Sequence, residues 1–168
     1  MPITIPDRKP CPYCENFAGR YASHGPPAVI YENDVISVFL SPASLGGMEG
    51  HTLVTTKRHV ETIFDLDEKE ETAVGQAVPR VARMLRNALD MDGLFIQQHN
   101  GTVAFQTVPH VHWHVVPTRE GFVWPPRDQV PITPWRDRAR QAERLTIFWD
   151  HVDQPGPGGG ISERRPPR

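Results

Sequence analysis

The chain has 168 residues and a mass of 19.0 kDa, which is enough for one domain with its own hydrophobic core. Its formal net charge of −2 gives no basic surface of the kind that sequence-independent nucleic-acid binding requires. No run of about 18 apolar residues occurs, and MPITIPDRKP lacks the apolar core of a signal peptide, so we expect no membrane span and predict a cytoplasmic protein.

The two ends of the chain differ in composition from the middle. Residues 1–10 and the tail QPGPGGGISERRPPR are rich in proline, glycine and charge, and such segments bury too little apolar surface to offset the entropy of ordering. We therefore predict a flexible N-terminus over residues 1–10, a domain over 11–118, an extension with a helix over 119–153 and a disordered tail over 154–168.

Four segments ahead of residue 109 have the composition of β-strands. AVIYENDVISVFL, residues 28–40, predicts two strands joined by a Glu-Asn-Asp turn. GHTLVTTKRH, residues 50–59, predicts a third strand with period-two alternation around Leu53 and Val54. GLFIQQHNG, residues 93–101, predicts a fourth.

Two segments have helical periodicity. The main helix is predicted within residues 65–90, with Asp65 as its N-cap, acidic residues in its first turn and arginines in its last. Pro79 removes one backbone hydrogen bond and should kink this helix. A second helix is predicted within residues 133–150, with Thr133 as its N-cap and a proline at its first position. The inward-facing residues are predicted to be Val74, Ala77, Val78, Val81, Leu85 and Leu89 in the first helix, and Trp135, Ala139, Ala142, Leu145 and either Phe148 or Trp149 in the second.

Three of the eight histidines alternate within PHVHWHVV, residues 109–116. Successive side chains of a strand point to opposite faces, so His110, His112 and His114 would share one face, and the valines and tryptophan between them would share the other. Pro109 has no amide hydrogen for a sheet ladder, so we predict that this fifth strand begins at His110.

The spacing along a strand limits what these histidines can do together. Residues i and i+2 are about 7 Å apart, close enough for two imidazoles to reach one metal, whereas i and i+4 are about 13 Å apart. Zinc holds nitrogen ligands at about 2.0 Å, so His110 and His114 cannot share one ion without breaking the strand. An imidazole bound to a metal also lacks the lone pair that a nucleophile needs, so the two roles exclude each other at one residue.

The two cysteines, in CPYC at residues 11–14, allow two interpretations. A CxxC pair alone is a weak zinc signal, and the other ligands here would have to be histidines. CPYC is also the active-site tetrapeptide of glutaredoxins, and TVP at residues 107–109 resembles the loop that faces it there. A redox thiol of that kind needs an apolar strand leading into it and a helix that starts at it. TIPDRKP is not such a strand and ENFAGRYASHGPP is a poor helix sequence, so we favour the zinc interpretation.

The stretch HVHWHVV matches the His-x-His-x-His-x-x pattern of the histidine triad superfamily of nucleotide hydrolases and transferases, with an apolar residue at each x. GHTLVTTKRHV, the helix after it, the Asn100-Gly101 turn and QTVPH also resemble the family in order and spacing, so the resemblance covers about residues 11–118. It implies an α+β fold, with an antiparallel five-stranded sheet and one main helix, to which the predicted C-terminal helix is added. It also implies a homodimer.

The resemblance implies a role for each histidine and cysteine. Family members that keep the cysteine pair bind a structural zinc, in a closed site that is not itself catalytic. In the family the middle histidine attacks the α-phosphorus of a nucleotide, which implies His112 as the nucleophile, and His114 would donate to a phosphate oxygen as charge builds. The implied zinc ligands are Cys11, Cys14, His59 and His110.

The same match implies which residues hold the phosphate and the leaving group. Thr107 and the backbone amides around Gln106 would bind the phosphate, and His99 or Asn100 would approach the leaving group. Phe105 stands where the family commonly has glycine, which restricts the backbone to negative φ.

The sugar side departs from the family pattern at FLSP, which contains Phe39 and Ser41. Many nucleotide-binding members have an acidic residue there that grips the ribose hydroxyls. A serine offers a weaker contact than a carboxylate, so we expect Ser41 to select the sugar less strongly. The alternative acceptor is Glu49, in the long segment SPASLGGMEG.

The resemblance thus implies a zinc-stabilised nucleotide hydrolase that cleaves a P–N or P–O bond at the α-phosphate of a nucleoside phosphoramidate or dinucleoside polyphosphate. A dinucleoside polyphosphate phosphorylase or a nucleotidyltransferase is the nearest alternative, because only the second acceptor differs. A nucleotide-binding regulatory module and a glutaredoxin-like thiol oxidoreductase are the alternatives of other classes. The expected partners are a nucleotide and a second copy of the chain, with neither membrane nor nucleic acid.

Overall fold

The computed structural model describes residues 3–21 and 24–152, and the tail predicted at 154–168 lies outside them. Its strands form one sheet in the spatial order β1-β2-β3-β5-β4, and all neighbouring pairs are antiparallel. The α+β class and the antiparallel five-stranded sheet are therefore confirmed. The strands are β1 (Ala28–Glu32), β2 (Ile36–Leu40), β3 (Thr52–Thr56), β4 (Gly93–Gln98) and β5 (His112–Thr118). The α-helices in the described part of the chain are α1 (Pro12–Phe17), α2 (Glu68–Ala88) and α3 (Trp135–Asp150).

Helix α2 is the predicted main helix, and it runs through Pro79 as one element. Its apolar stripe packs on one face of the sheet, where Val81 and Leu85 are fully buried against Val54 and Val115. Burying a side chain of this size contributes about 1.5–3 kcal/mol, so this stripe is the main reason that the helix lies on the sheet. The described residues include no helix that is both long and apolar enough to cross a membrane.

The N-cap of α2 is Asp67, so the prediction of Asp65 was wrong. The Asp67 carboxylate accepts from the Glu70 amide and the Glu70 carboxylate accepts from the Asp67 amide, which is a complete capping box. Asp65 instead ends a short 3₁₀ turn, and its carboxylate accepts from the Thr62 hydroxyl at 2.6 Å.

Helix α3 begins at Trp135 with Pro134 as its N-cap, one residue later than predicted. Thr133 does not cap the helix, and its amide donates to the Pro42 carbonyl, at 2.9 Å, in a different part of the chain. Trp135 is 45% exposed, so the prediction that it faces inward was also wrong. The residues of α3 that pack into the core include Ala142, Leu145 and Trp149, while Ala139 and Phe148 are partly buried.

Strand β5 begins at His112, two residues after the predicted start at His110. The His110 amide donates to the Val108 carbonyl at 2.8 Å, which closes a turn and not a sheet ladder. The Val111 amide then donates to the Val60 carbonyl at 2.6 Å. His112 and His114 therefore alternate on a strand, whereas His110 reaches the same region from the turn before it.

The N-terminal segment is described from residue 3 and lies against the turn that follows β4. The Thr4 carbonyl accepts from the Thr102 amide at 2.8 Å, and a Cβ on Gly101 would lie 2.5 Å from the Ile3 side chain. Gly101 also has a φ of +88°, so the turn needs glycine for two reasons. The flexibility of residues 1–10 and the domain boundaries stay predictions.

Candidate active site and metal centre

His112 and His114 lie on the face of the sheet opposite α2 and α3. The register places His112 beside Thr55 of β3, and His114 between Leu53 of β3 and Gln97 of β4. Trp113, between the two histidines, packs towards the helices. The alternation in the sequence thus separates a chemical face of β5 from a core face.

His112 is held as a neutral imidazole with one defined tautomer. Its Nδ1 lies 2.7 Å from the His110 carbonyl, and because a carbonyl only accepts, Nδ1 carries the hydrogen. The side chain is buried, with the edge of the Tyr13 ring against it, and burial lowers the pKa of His112 to about 4. At neutral pH the other nitrogen, Nε2, therefore carries an unshared lone pair and is able to act as a nucleophile.

A fourth histidine, His51, completes the site and was missed in the sequence. Its Nδ1 donates to the Ala43 carbonyl, and its Nε2 lies 2.9 Å from Nδ1 of His114. Burial lowers the pKa of His51 to about 4, so the ring is neutral and Nε2 is an acceptor. The Nδ1 hydrogen of His114 is then donated to His51. His51 lies two residues before Leu53, which pairs with His114 in the sheet, and the sequence alone does not show that register.

This arrangement changes what His114 can do. With Nδ1 donating to His51, its Nε2 carries a lone pair, and burial together with the neighbouring histidines lowers the pKa of His114 well below its usual range. The donation to a phosphate oxygen that the sequence predicts therefore requires His114 to gain a proton. An anionic phosphate nearby favours that gain, because an opposite charge stabilises the imidazolium.

His99 and Asn100 lie at the end of β4, and only His99 approaches the triad. The His99 ring is 5.9 Å from the His114 ring, and its Nδ1 donates to the Ala104 carbonyl at 2.6 Å. The Asn100 carboxamide is used inside the turn, since its Oδ1 accepts from the Ile63 amide at 2.8 Å and from the Gln98 side chain at 3.0 Å. Of the two, His99 is therefore the better placed for a leaving group.

Gln106 is buried, and its side chain holds together the loop of residues 101–108. Its Oε1 accepts from the Gly101 amide at 2.6 Å, and its Nε2 donates to the Glu61 and Val108 carbonyls at 2.7 and 3.0 Å. Its backbone amide donates to the Gly101 carbonyl at 3.1 Å. This amide already has an acceptor, so phosphate binding at Gln106 requires a rearrangement, and the neighbouring Thr107 is exposed.

Phe105 has a left-handed backbone conformation. Its φ is +65°, and it is the one non-glycine residue with a positive φ among the described residues. The expectation that phenylalanine restricts the backbone to negative φ was therefore wrong. A left-handed conformation costs a residue with a Cβ about 1–2 kcal/mol, so this loop holds strain next to the candidate phosphate site.

The residues expected at the sugar have partners within the chain. Phe39 packs edge-on against Tyr13, with 5.6 Å between the ring centroids. The Ser41 hydroxyl accepts from the Ala43 amide at 3.1 Å. Both oxygens of Glu49 accept from Arg144 of α3, at 2.7 and 2.6 Å. Glu49 is thus held by the C-terminal helix, and a contact from Ser41 to the ribose stays a prediction.

Two cysteines and two histidines meet at the start of α1. Their ligand atoms all lie within 4.8 Å of one another. The Nδ1 of His110 is 3.5 Å from the sulfur of Cys11 and 3.7 Å from that of Cys14, and the Nδ1 of His59 is 3.3 Å from the Cys14 sulfur. A tetrahedral zinc with bonds of about 2.3 Å to sulfur and 2.0 Å to nitrogen separates such atoms by about 3.5 Å, so these residues fit the ion.

The surroundings of this cluster orient a histidine ligand and influence the charge of a thiol. The Nε2 of His110 donates to the Thr56 carbonyl at 2.9 Å, so its Nδ1 lone pair faces the two sulfurs. Burial, and then the neighbouring Cys11, raises the pKa of the Cys14 thiol to about 11. Two thiolates at neutral pH therefore need a cation between them.

The surroundings of CPYC differ from the sequence expectation in one respect. A six-residue helix, α1, does follow Cys11, so the prediction of no helix was wrong. The described residues 3–10 contain no strand, so the apolar strand that a glutaredoxin site needs is missing. The redox interpretation is therefore not supported by the fold.

A protein-family model assigns the chain to a known family. The model of the HIT domain matches residues 23–121, which is more than half of the chain and includes β1 to β5. The chain belongs to the HIT domain family. This confirms the family that the triad and its flanking segments indicate.

Individual relatives of the family agree with this assignment. Protein hit of Bacillus subtilis is 33% identical over 107 residues, which cover 64% of this chain and 70% of that protein. The crystal structure of a zinc-bound histidine triad family protein from Mycobacterium smegmatis has a TM-score of 0.67 and 30% identity, covering 86% of this chain and 96% of that one. The adenosine 5'-monophosphoramidase HNT1 of Saccharomyces cerevisiae is 36% identical over 72 residues, which is 43% of each chain.

Proposed function

We propose that this HIT protein is a nucleotide hydrolase that cleaves a P–N or P–O bond at the α-phosphate, through a nucleotidyl intermediate on His112. The observation that carries the proposal is the tautomer of His112, whose Nδ1 hydrogen is fixed by the His110 carbonyl at 2.7 Å. That bond leaves Nε2 with a lone pair at neutral pH. The similarity to an adenosine 5'-monophosphoramidase supports a nucleoside phosphoramidate as the substrate, with a dinucleoside polyphosphate as the second choice.

The first step forms a bond between Nε2 of His112 and the α-phosphorus and breaks the bond from phosphorus to the leaving group. The leaving amine or phosphate departs with the electron pair and takes up a proton. The imidazole becomes positively charged, and the His110 carbonyl stabilises it because it accepts the Nδ1 hydrogen. In the second step a water oxygen attacks phosphorus, the bond to Nε2 breaks, and the water gives up a proton as the nucleoside monophosphate leaves.

In this proposal, His114 is the proton donor of the first step. Its ring lies 4.8 Å from the His112 ring, so both can contact the same phosphate. The bound phosphate brings a negative charge, which raises the pKa of His114 and lets its Nε2 take a proton from solvent. The protonated ring then donates to the phosphate or to the leaving group.

An acceptor experiment tests this function against its alternatives. The protein is mixed in excess with adenosine 5'-monophosphoramidate labelled at phosphorus, the reaction is stopped with denaturant at alkaline pH, and the protein is analysed for a bound label that acid then removes, as expected of a P–N bond. We expect the label to appear within one turnover and to be lost to water as AMP. A product that changes to ADP when inorganic phosphate is added indicates a phosphorylase, and binding without any label indicates a regulatory module.

The cluster at the start of α1 is proposed to hold one zinc ion, with Cys11, Cys14, His59 and His110 as its ligands. The ion would supply structural cross-linking and no step of the reaction, since four protein ligands leave no open position. Its residues come from three distant parts of the chain, so they tie α1 to the turn before β5. That turn carries the His110 carbonyl, which fixes the tautomer of His112.

Removal of one ligand tests the zinc proposal. We expect about one zinc per purified chain, and we expect Cys11→Ala to lose it and to lower the free energy of unfolding by more than about 2 kcal/mol, because metal binding is coupled to folding. Elemental analysis and urea unfolding measure the two effects. Glu15→Gln, at a partly buried position of α1 outside the cluster, is the matched control. A protein without zinc whose two cysteines cycle to a disulfide with glutathione would revive the oxidoreductase interpretation.

The proposal includes a homodimer. Strand β4 is an edge of the sheet, and its Phe95 and Ile96 are 39% and 52% exposed. Phe95 also contacts Phe122 and Trp124, with 5.5 Å between ring centroids in each pair, which widens the apolar surface at this edge. Sedimentation velocity of the full chain at micromolar concentration tests it, and a monomer would contradict it.

A further inference from the structure

The hydrogen bond from His51 to Ala43 depends on the loop between β2 and β3, residues 41–51. The Ser41 hydroxyl accepts from the Ala43 amide at 3.1 Å, and the Ser41 amide donates to the His51 carbonyl at 2.9 Å. The Ala43 carbonyl, on the other side of that residue, accepts from Nδ1 of His51. A hydrogen bond within the loop therefore fixes the amide of Ala43, while the Ala43 carbonyl faces the active site.

The C-terminal extension holds the same loop from outside. Residues 131–133, named here the strap, form a bridge in which Ile132 pairs antiparallel with Ala43. The Ser44 amide donates to the Pro131 carbonyl and the Thr133 amide donates to the Pro42 carbonyl, both at 2.9 Å. These two hydrogen bonds flank Ala43 on both sides, so they set where its carbonyl lies.

Helix α3 anchors the strap. Arg138 of α3 is buried and its Nε donates to the Thr133 carbonyl at 3.2 Å. Farther along the helix, Arg144 donates to both oxygens of Glu49 in the loop. The strap and the loop are therefore joined to the body of α3 at two points that lie outside the active site.

A neutral imidazole has one hydrogen, so the acceptor at one ring nitrogen decides the role of the other. While the Ala43 carbonyl accepts from Nδ1 of His51, Nε2 of His51 accepts from His114. If the carbonyl moved away, the Nε2–H tautomer of His51 would become competitive, and Nδ1 of His114 would have to accept. The hydrogen of His114 would then sit on its Nε2, the nitrogen left for the substrate.

We propose that the strap is a positioning element for the active site, which selects the tautomers of His51 and His114 by fixing the Ala43 carbonyl. Ser41 contributes to the same positioning, because its hydroxyl accepts a hydrogen bond from the Ala43 amide. The kinetic part of this inference rests on the proposed function, whereas the tautomers are measurable without any substrate. The extension after residue 118 thus influences the tautomers of the active-site histidines without contacting the reacting atoms.

The test removes one hydrogen bond of the strap and reads the histidine rings directly. Thr133→Pro deletes the amide that donates to Pro42, and Thr133→Ala, the matched control, keeps that amide and loses only the side chain. The full-length variants are labelled with ¹⁵N-histidine, and the ring nitrogens of His51 and His114 are observed by NMR. In the control we expect the hydrogen of each ring on Nδ1, as in the parent, and in Thr133→Pro we expect a mixture of tautomers at both rings.

The kinetic readout uses adenosine 5'-monophosphoramidate. We expect Thr133→Pro to lower kcat by about 10- to 100-fold with KM changed less than about 3-fold, because a displacement of about 1 Å is enough for such a loss. A pure loss of stability would leave both constants unchanged below the unfolding temperature. Unchanged ring signals and an unchanged kcat in Thr133→Pro would overturn the proposal.

A second variant decides the matter if Thr133→Pro does not fold. Ser41→Ala removes the hydroxyl that holds the Ala43 amide and leaves the backbone of the strap intact, and we expect it to shift the same ring signals. Parent-like signals in a folded Ser41→Ala, with Thr133→Pro unfolded, would overturn the proposal as well. If the parent chain does not hydrolyse the phosphoramidate, the proposed function fails, and the ring signals still test the strap.

Discussion

Replacement of His112 by asparagine is expected to abolish the nucleotidyl intermediate and to lower kcat/KM for adenosine 5'-monophosphoramidate by at least about 10⁴-fold. Asparagine can still donate to the His110 carbonyl, so the buried donor keeps its partner, but it has no ring nitrogen to attack phosphorus. AMP binding should change less than about 10-fold, because the lost interaction is made in the transition state. Trapping with an alkaline denaturing quench and calorimetry measure the two quantities.

The matched control for this variant is His151→Asn. His151 is exposed at the end of α3, where its Nδ1 donates to the Ile147 carbonyl at 2.8 Å, so the same change in chemistry is made away from the site. It should keep full activity and full trapping. A His112→Asn protein that turned over at the parent rate would rule out covalent catalysis by this residue, and label on His114 would transfer the nucleophilic role to that histidine.

The elements that the sequence predicts well are those with a strong local period. The apolar stripe of α2 follows helical spacing and is buried as predicted except at Leu89, which is partly buried, and the first four strands lie within their predicted segments while β5 runs on to Thr118. The wrong predictions concern the ends of helices and strands, where single contacts outside the local pattern determine at which residue the element begins. Asp65 and Asp67 each have a glutamate three residues later, so spacing does not separate them, and Glu70 of the box at Asp67 is also held by Arg58 from a different part of the chain. Thr133 lies just before the cap, and its amide donates to a distant carbonyl, that of Pro42, a contact that no local pattern indicates.

The candidate site was predictable only where its residues are close in sequence. His112 and His114 lie two residues apart on one strand, so the alternation places them together. His51 meets His114 across the pairing of β3 with β5, 63 residues away, and no local pattern marks that register. The cluster of Cys11, Cys14, His59 and His110 joins three segments, so its membership came from the resemblance and not from spacing.

The contact between the strap and the loop could not be predicted from the sequence. Periodicity predicts α3, but it does not show that residues 131–133 pair with Ala43, since a single bridge has no repeat to detect. The same is true of the Arg144 and Glu49 pair, which lie 95 residues apart. The alternative role of Glu49 at the sugar stays a prediction, and its carboxylate contacts α3 in the structure.

Acidification should destabilise this protein through its buried histidines. Burial lowers the pKa of His51 from the usual 6.5 to about 4, so the unfolded chain binds a proton at this residue at a higher pH than the folded chain does. The contribution of the neutral ring to stability is therefore fully present above pH 6.5 and is lost as the pH falls towards about 4. Between pH 7 and 4.5 the loss from this one residue is about 2 kcal/mol.

The variant His51→Gln isolates that contribution, because glutamine does not titrate in this range. We expect its free energy of unfolding, measured in urea, to fall about 2 kcal/mol less than that of the parent between pH 7 and 4.5. The carboxylates and the loss of a metal act on both proteins alike, and the comparison is repeated with excess zinc and with a chelator to verify this. His151→Gln, at an exposed position, should follow the parent. Equal falls in the parent and in His51→Gln would show that His51 titrates normally and is not the neutral partner of His114.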